Sequence, residues 1–219
     1  MPRYTHIFFD LDGTLTDSAP GILNSVRYAL ERLGAPVPER EALFAFIGPP
    51  LPDSFRDRCG FGPEQAREAT RLYREYFEPR GLYENSVYPG IPALLERLRA
   101  SGLWLGVATS KPERFARRIL DHFGLTAAFD GIAGADLDGQ RSRKADVLRY
   151  ALAQSGVGDP ARALMVGDRE HDALGAREAG LDCLGVLYGY GSREELLGAG
   201  VRYLAETVPQ VGELILGLI

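Results

Sequence analysis

Ile7-Phe8-Phe9-Asp10-Leu11-Asp12-Gly13-Thr14 decides how this chain is read. A short apolar run that stops at an acid has the form of a buried strand ending in a polar loop. The form recurs at Leu103 to Ala108, Ala163 to Val166 and Cys183 to Leu187. Helical periodicity fills the intervals, at Ile91 to Ala100, Glu113 to Phe123, Ala145 to Gln154 and Ala173 to Ala179, with Gly180 as a stop signal. Strand followed by helix, repeated, predicts parallel strands joined by right-handed crossovers: an α/β fold with a doubly wound sheet.

The stretch from Ala19 to Glu84 breaks that alternation. It carries helical patterns at Ile22 to Leu33, Glu39 to Phe46 and Pro63 to Phe77 and no buried-strand run. Turn residues bound it, Thr16-Asp17-Ser18 on one side and Tyr88-Pro89-Gly90 on the other. The expected organisation is a core domain made of 1–16 and 88–219, with a helical cap domain of 17–87 inserted after the first strand. Ligands of open α/β sheets sit outside the carboxyl ends of the strands, so such an insertion starts beside the expected site.

Composition sets the limits. The chain has 219 residues, 45% hydrophobic and 25% charged, which is ordinary for a globular protein and excludes a disordered or collagen-like chain. Lys and Arg number 25 against 30 Asp and Glu, a net of −5, and no basic block suits a nucleic-acid polymer. An anionic substrate would need local cations, a metal or backbone N–H groups to overcome that field. Cys59 and Cys183 fit no zinc or redox spacing, so they read as buried free thiols in a reducing cytoplasm. No apolar run approaches the roughly 20 residues that span a bilayer. Monomer and homodimer both remain open.

The acids carry the chemistry. Asp10 and Asp12, two apart on extended chain, point their carboxylates the same way, so one can act as nucleophile while the other moves a proton. Gly13 permits a tight turn whose N–H groups could face an anion. The bland reading is an Asp-Gly turn; the position directly after an apolar strand favours catalysis. Asp168, in Gly167-Asp168-Arg169-Glu170-His171-Asp172, also ends a strand-like run. Carboxylates without a His or Cys cluster suit Mg²⁺ rather than zinc. Asp172 is either part of that site or the N-cap of the Ala173 helix. Thr109 and Ser110 lie between a strand and a helix, where they could contact phosphate or cap the helix. Lys144, in Arg141-Ser142-Arg143-Lys144, reads on spacing alone as a solvated surface run. His6, His122 and His171 form no ligand spacing, and no nucleophile elbow supports serine hydrolysis.

Taken in order, Asp10-Leu11-Asp12-Gly13-Thr14, Ala108-Thr109-Ser110, Lys144 and Gly167-Asp168 through Asp172 resemble the four motifs of the haloacid dehalogenase (HAD) superfamily, in its Mg²⁺-dependent phosphatase branch. The resemblance covers essentially the whole chain. It implies a Rossmann-like core with a cap of the smaller, four-helix type. It also implies Asp10 as the nucleophile that forms an aspartyl-phosphate, and Asp12 as the acid that protonates the leaving alkoxide and later activates water. Mg²⁺ would be held by Asp10, the Asp12 carbonyl and Asp168, with Asp172 in support; Gly13, Thr109, Ser110 and Lys144 would contact phosphate. The family often has Lys-Pro at its third motif, where this chain has Lys144-Ala145, and Arg141 and Arg143 compete for that role. Asp12, absent from the dehalogenase branch, disfavours C–halogen hydrolysis.

Phe46-Ile47-Gly48-Pro49-Pro50-Leu51 and Gly189-Tyr190-Gly191-Ser192-Arg193-Glu194-Glu195-Leu196 look like a subgroup described as phosphoglycolate phosphatases. Gly81-Leu82-Tyr83-Glu84-Asn85 and Gly167-Asp168-Arg169 with His171-Asp172 look like a neighbouring subgroup described as 5′-nucleotidases. The expected substrate is a small phosphorylated metabolite. A phosphomutase sharing the aspartyl-phosphate step and a phosphate-binding, receiver-like module are the competing expectations.

Overall fold

A computed structural model of the chain describes residues 3–137 and 141–219. The strands are β1 (His6–Phe9), β2 (Thr16–Asp17), β3 (Ser86–Val87), β4 (Trp104–Pro112), β5 (Gly131–Ala135), β6 (Ala163–Gly167), β7 (Asp182–Val186) and β8 (Tyr203–Ala205). The α-helices are α1 (Ala19–Arg32), α2 (Arg40–Leu43), α3 (Leu51–Cys59), α4 (Pro63–Tyr76), α5 (Ile91–Ala100), α6 (Glu113–His122), α7 (Lys144–Ser155), α8 (Glu170–Ala179), α9 (Arg193–Ala199) and α10 (Val208–Leu216). The chain divides into two compact units, Met1–Thr16 with Val87–Ile219, and Asp17–Ser86. The short ribbon of β2 and β3 marks the two crossings of the chain between them.

The first unit holds a six-stranded sheet in the order β5-β4-β1-β6-β7-β8, parallel throughout. It is the Rossmann-like α/β architecture expected. The chain runs outward from β1 through β4 to β5, then returns to the other side of β1 for β6, β7 and β8. The direction of winding therefore reverses beside β1, and the crevice such a reversal opens lies at the strands' carboxyl ends. Phe8 faces one layer, in a cluster with Val147 and Leu148 of α7 and Ala173 and Ala176 of α8. Ile7 and Phe9, whose side chains point the opposite way, are 0% and 1% exposed, so β1 is buried on both faces. Burial of that kind stabilises by about 1.5–3 kcal/mol per large apolar side chain.

Helix ends follow local chemistry. α7 and α8 stop at Gly156 and Gly180, both left-handed. α6 buries Phe115, Ala116, Ile119 and Leu120, one stripe of a 3.6-residue period. The apolar carboxyl end belongs to α10, which packs on α5. The apolar-run criterion overlooks the strands β5 and β8, and the helical patterns overlook α3, α9 and most of α10.

The second unit is helical. α4 packs against both α1 and α3, and Phe46 and Phe61 each lie against Phe55. The helical pattern at Glu39 to Phe46 resolves into the single turn α2 followed by a 3₁₀ turn at Phe44–Phe46.

Candidate active site

β1 ends at Phe9, and the next residue, Asp10, is 7% exposed. The chain then turns tightly: the N–H groups of Leu15 and Thr16 both donate to the Leu11 carbonyl, and Gly13 N–H donates to Thr16 O at 2.8 Å. That last bond corrects one expectation. The Gly13 N–H is consumed by the turn and does not face an anion. What Gly13 supplies is clearance, since at φ +81° an added Cβ would lie 2.2 Å from Asp168 Oδ2.

Asp168 follows β6, next to β1 in the sheet, and is fully buried. Its Oδ2 accepts the Tyr190 N–H at 2.7 Å, and its Oδ1 lies 3.4 Å from the donating Thr14 hydroxyl. Asp172 is 1% exposed and sits in the first turn of α8. It is not the helix N-cap, because α8 begins two residues earlier at Glu170. Its Oδ2 instead accepts the N–H of Arg169, the residue before the helix, at 3.1 Å, which leaves Oδ1 to face the sheet edge.

Lys144 overturns the solvated-run reading outright. It opens α7, its side chain is 4% exposed, and its Nζ lies 2.9 Å from Asp10 Oδ1 and 2.7 Å from Asp172 Oδ1. It also donates to the Ala108 carbonyl of β4 at 2.9 Å. The rival cations are engaged elsewhere: Arg141 donates to the Gly134 carbonyl and lies over the Tyr150 ring, and Arg143 pairs with Glu178.

Thr109 is buried in β4, with its hydroxyl accepting the Lys111 N–H at 3.2 Å; Ser110 is half-buried beside it. Neither caps a helix, since β4 continues to Pro112 and α6 starts at Glu113. Sequence reasoning missed Lys111, whose Nζ lies 3.0 Å from Asp12 Oδ2 with its side chain 5% exposed. No local signal marks that contact, since the sequence shows only a lysine two residues beyond Thr109.

Oxygens of Asp10, Asp168 and Asp172 lie within 4.8 Å of one another, all on buried residues. Burial pushes the Asp168 carboxyl well above the usual carboxylate range, reinforced by Asp172 and Asp10. Asp172 is pushed up to about 6, burial and Asp10 outweighing the opposing pull of Lys144. Burial alone would lower the Lys144 ammonium, but Asp10 and Asp172 hold it above its ordinary range. Two carboxylates flank the one ammonium and the third, Asp168, lies within 4.8 Å of them, so the pocket is short of positive charge. Hard oxygen donors with a surplus of negative charge fit a divalent cation such as Mg²⁺.

A reversal-point sheet with acids at its carboxyl edge defines a class, and the comparison with known families agrees. The chain belongs to the haloacid dehalogenase-like hydrolase family, whose model matches residues 7–186. It is an enzyme, a phosphatase of that family. A protein of Pseudomonas aeruginosa named 5′-nucleotidase is 50% identical over 194 residues, 89% of this chain and 87% of that one. The Mycobacterium tuberculosis protein named tyrosine-protein kinase PtkA is 51% identical over 185 residues, 84% of this chain but 62% of PtkA. The solved structure of a predicted phosphatase from Clostridium acetobutylicum superposes with a TM-score of 0.95 at 46% identity, covering 98% of this chain and 99% of that one.

Proposed function

We propose that this chain hydrolyses a small phosphomonoester, a nucleoside 5′-monophosphate or phosphoglycolate, in an Mg²⁺-dependent reaction with Asp10 as nucleophile. The observation that carries the reading is the buried Lys144, held between Asp10 and Asp172. A cation placed there orients the nucleophile and stands ready for the negative charge of a phosphoryl group.

In the first half-reaction an Asp10 carboxylate oxygen bonds to phosphorus as the bond to the leaving oxygen breaks, and Asp12 gives that oxygen a proton. In the second, water attacks the aspartyl-phosphate and gives its proton to Asp12, while Asp10 leaves. Thr109 and Lys144 contact the transferring oxygens, with Ser110 at the edge of the same site. Asp10, the Asp12 carbonyl and Asp168 would hold Mg²⁺, with Asp172 in support. When bound, the ion supplies neutralising charge for the phosphoryl oxygens. The helical segment 17–87 acts as the cap.

The relative named 5′-nucleotidase supports the nucleotide substrate, and the motifs shared with phosphoglycolate phosphatases support the smaller one. A second reading, transfer to a hydroxyl in place of water, draws support from the relative named as a tyrosine kinase. No helix among the described residues is long and apolar enough to cross a membrane, and the two free thiols suit the cytoplasm. Asp10→Asn should abolish phosphate release from 4-nitrophenyl phosphate while leaving the circular dichroism spectrum unchanged. A mutant with near wild-type turnover would sink the mechanism. Ranking nucleoside monophosphates, phosphoglycolate and sugar phosphates by kcat/KM then selects the substrate.

A further inference from the structure

Lys111 stands outside the chemistry assigned above, and three observations converge on it. First, its Nζ is 3.0 Å from Asp12 Oδ2, and both side chains are nearly sealed, 5% and 12% exposed. Second, β4 is irregular at this point. Thr109 pairs with Gly134 and Pro112 with Ala135, so Ser110 and Lys111 are extra residues on β4 with no counterpart on β5. Such a bulge re-aims side chains at the edge of a sheet, and here it carries Lys111 towards the turn after β1. Third, the two Asp12 oxygens are not equivalent: Oδ2 faces the ammonium, while Oδ1 is shielded from solvent and has no hydrogen-bond partner among the described residues. A buried oxygen without a partner is costly unless a reacting group completes it.

We infer that Lys111 is a positioning residue for Asp12: it holds Oδ2 and so commits Oδ1 to both proton transfers of the reaction. The inference rests on the acid/base role proposed for Asp12. In the first step the proton on Oδ1 passes to the leaving oxygen as its bond to phosphorus breaks and the bond to Asp10 forms. In the second, the proton from water returns to Oδ1 as the water oxygen bonds to phosphorus and Asp10 is released. Without Lys111 the carboxyl group can rotate, and the proton is out of line for part of the time.

Leaving-group chemistry separates this role from a merely structural one. 4-Nitrophenolate departs with little protonation, whereas phenolate needs it more. The test measures kcat on 4-nitrophenyl phosphate and phenyl phosphate for the whole chain and for Lys111→Met, Lys111→Arg and Asp12→Asn. Asp12→Asn should lose about 10²- to 10⁴-fold on phenyl phosphate and much less on the nitro compound, the size of general acid catalysis. Lys111→Met should show the same selectivity at about 10-fold, since it disturbs the acid's aim without removing it. Lys111→Arg, which keeps the charge and so guards against a folding defect, should recover part of the phenyl phosphate rate. Equal losses on the two substrates in both Lys111 variants, with Asp12→Asn still selective, would overturn the role of Lys111 alone. Equal losses in Asp12→Asn would overturn the acid assignment beneath it.

Discussion

Replacing Lys144 by Met removes a buried charge while nearly keeping the volume of the side chain, so its cost measures electrostatics rather than packing. Two carboxylate oxygens lie 2.9 and 2.7 Å from Nζ. At an effective dielectric of about 20, each contact is worth roughly 6 kcal/mol before desolvation. Desolvation returns most of that, yet deleting one partner of a buried pair leaves the others uncompensated and costs about 3–5 kcal/mol. A chain of this size loses about 2–4 °C of midpoint per kcal/mol, so the core unit should melt about 6 to 20 °C earlier in metal-free buffer. The single tryptophan, Trp104, lies in β4 against Phe8, and its fluorescence reports that unit by itself. Arg143→Met supplies the control, because its pair with Glu178 is on the surface, with 64% and 42% of the side chains exposed. That variant should stay within about 2 °C of the wild type. A Lys144→Met midpoint equally close to wild type would refute the reasoning, since Lys144 would then contribute no more than a surface lysine.

Two further perturbations bear on the same pocket. With Mg²⁺ at about 100 times its dissociation constant, linkage should stabilise the wild type by about 2.7 kcal/mol, and Asp168→Asn should lose that gain; equal rises in the Trp104 midpoint would exclude Asp168 as a ligand. Gly13→Ala places a Cβ 2.2 Å from Asp168 Oδ2 at a backbone φ of +81°. It should cost about 1–3 kcal/mol and weaken the stabilisation by Mg²⁺, and a variant that melts and binds Mg²⁺ like the wild type would show that Asp168 is not held where the structure has it.

Much of the core was legible because parallel strands buried on both faces must be apolar along their buried length, and β1, β6 and β7 are, with only the half-buried first residues His6 and Asp182 polar. β5 was not, because its glycines are placed by packing. Gly131 lies under the Trp104 ring, where an added Cβ would be 2.8 Å away, and Gly134 lies against the Glu113 backbone. Small residues there serve close approach, which erases the apolar signature of a strand. β8, with three residues, is too short to carry a pattern. The paired acids were readable because they sit two apart at a strand end. Lys111 was not, and Lys144 was reached only through the order of the motifs, because neither local spacing nor periodicity records that residues over 90 positions from Asp10 and Asp12 come to rest against them.

By itself, then, the sequence determined the strand and helix periodicity, the interrupted order of core and insertion, and which acids end which strands. These follow from short-range rules, the alternation of side chains along a strand and the termination of a run by a turn. Only the tertiary structure decided which cation meets which carboxylate. It buried Lys144 rather than Arg141 or Arg143, spent the Gly13 N–H within the turn, and set Lys111 against one oxygen of Asp12. The cause is topological: winding reverses beside β1, so β4 and β6, far apart in the chain, flank it and bring their carboxyl ends to one edge. Charge placement at that edge is a property of the sheet order, which no local stretch of sequence contains.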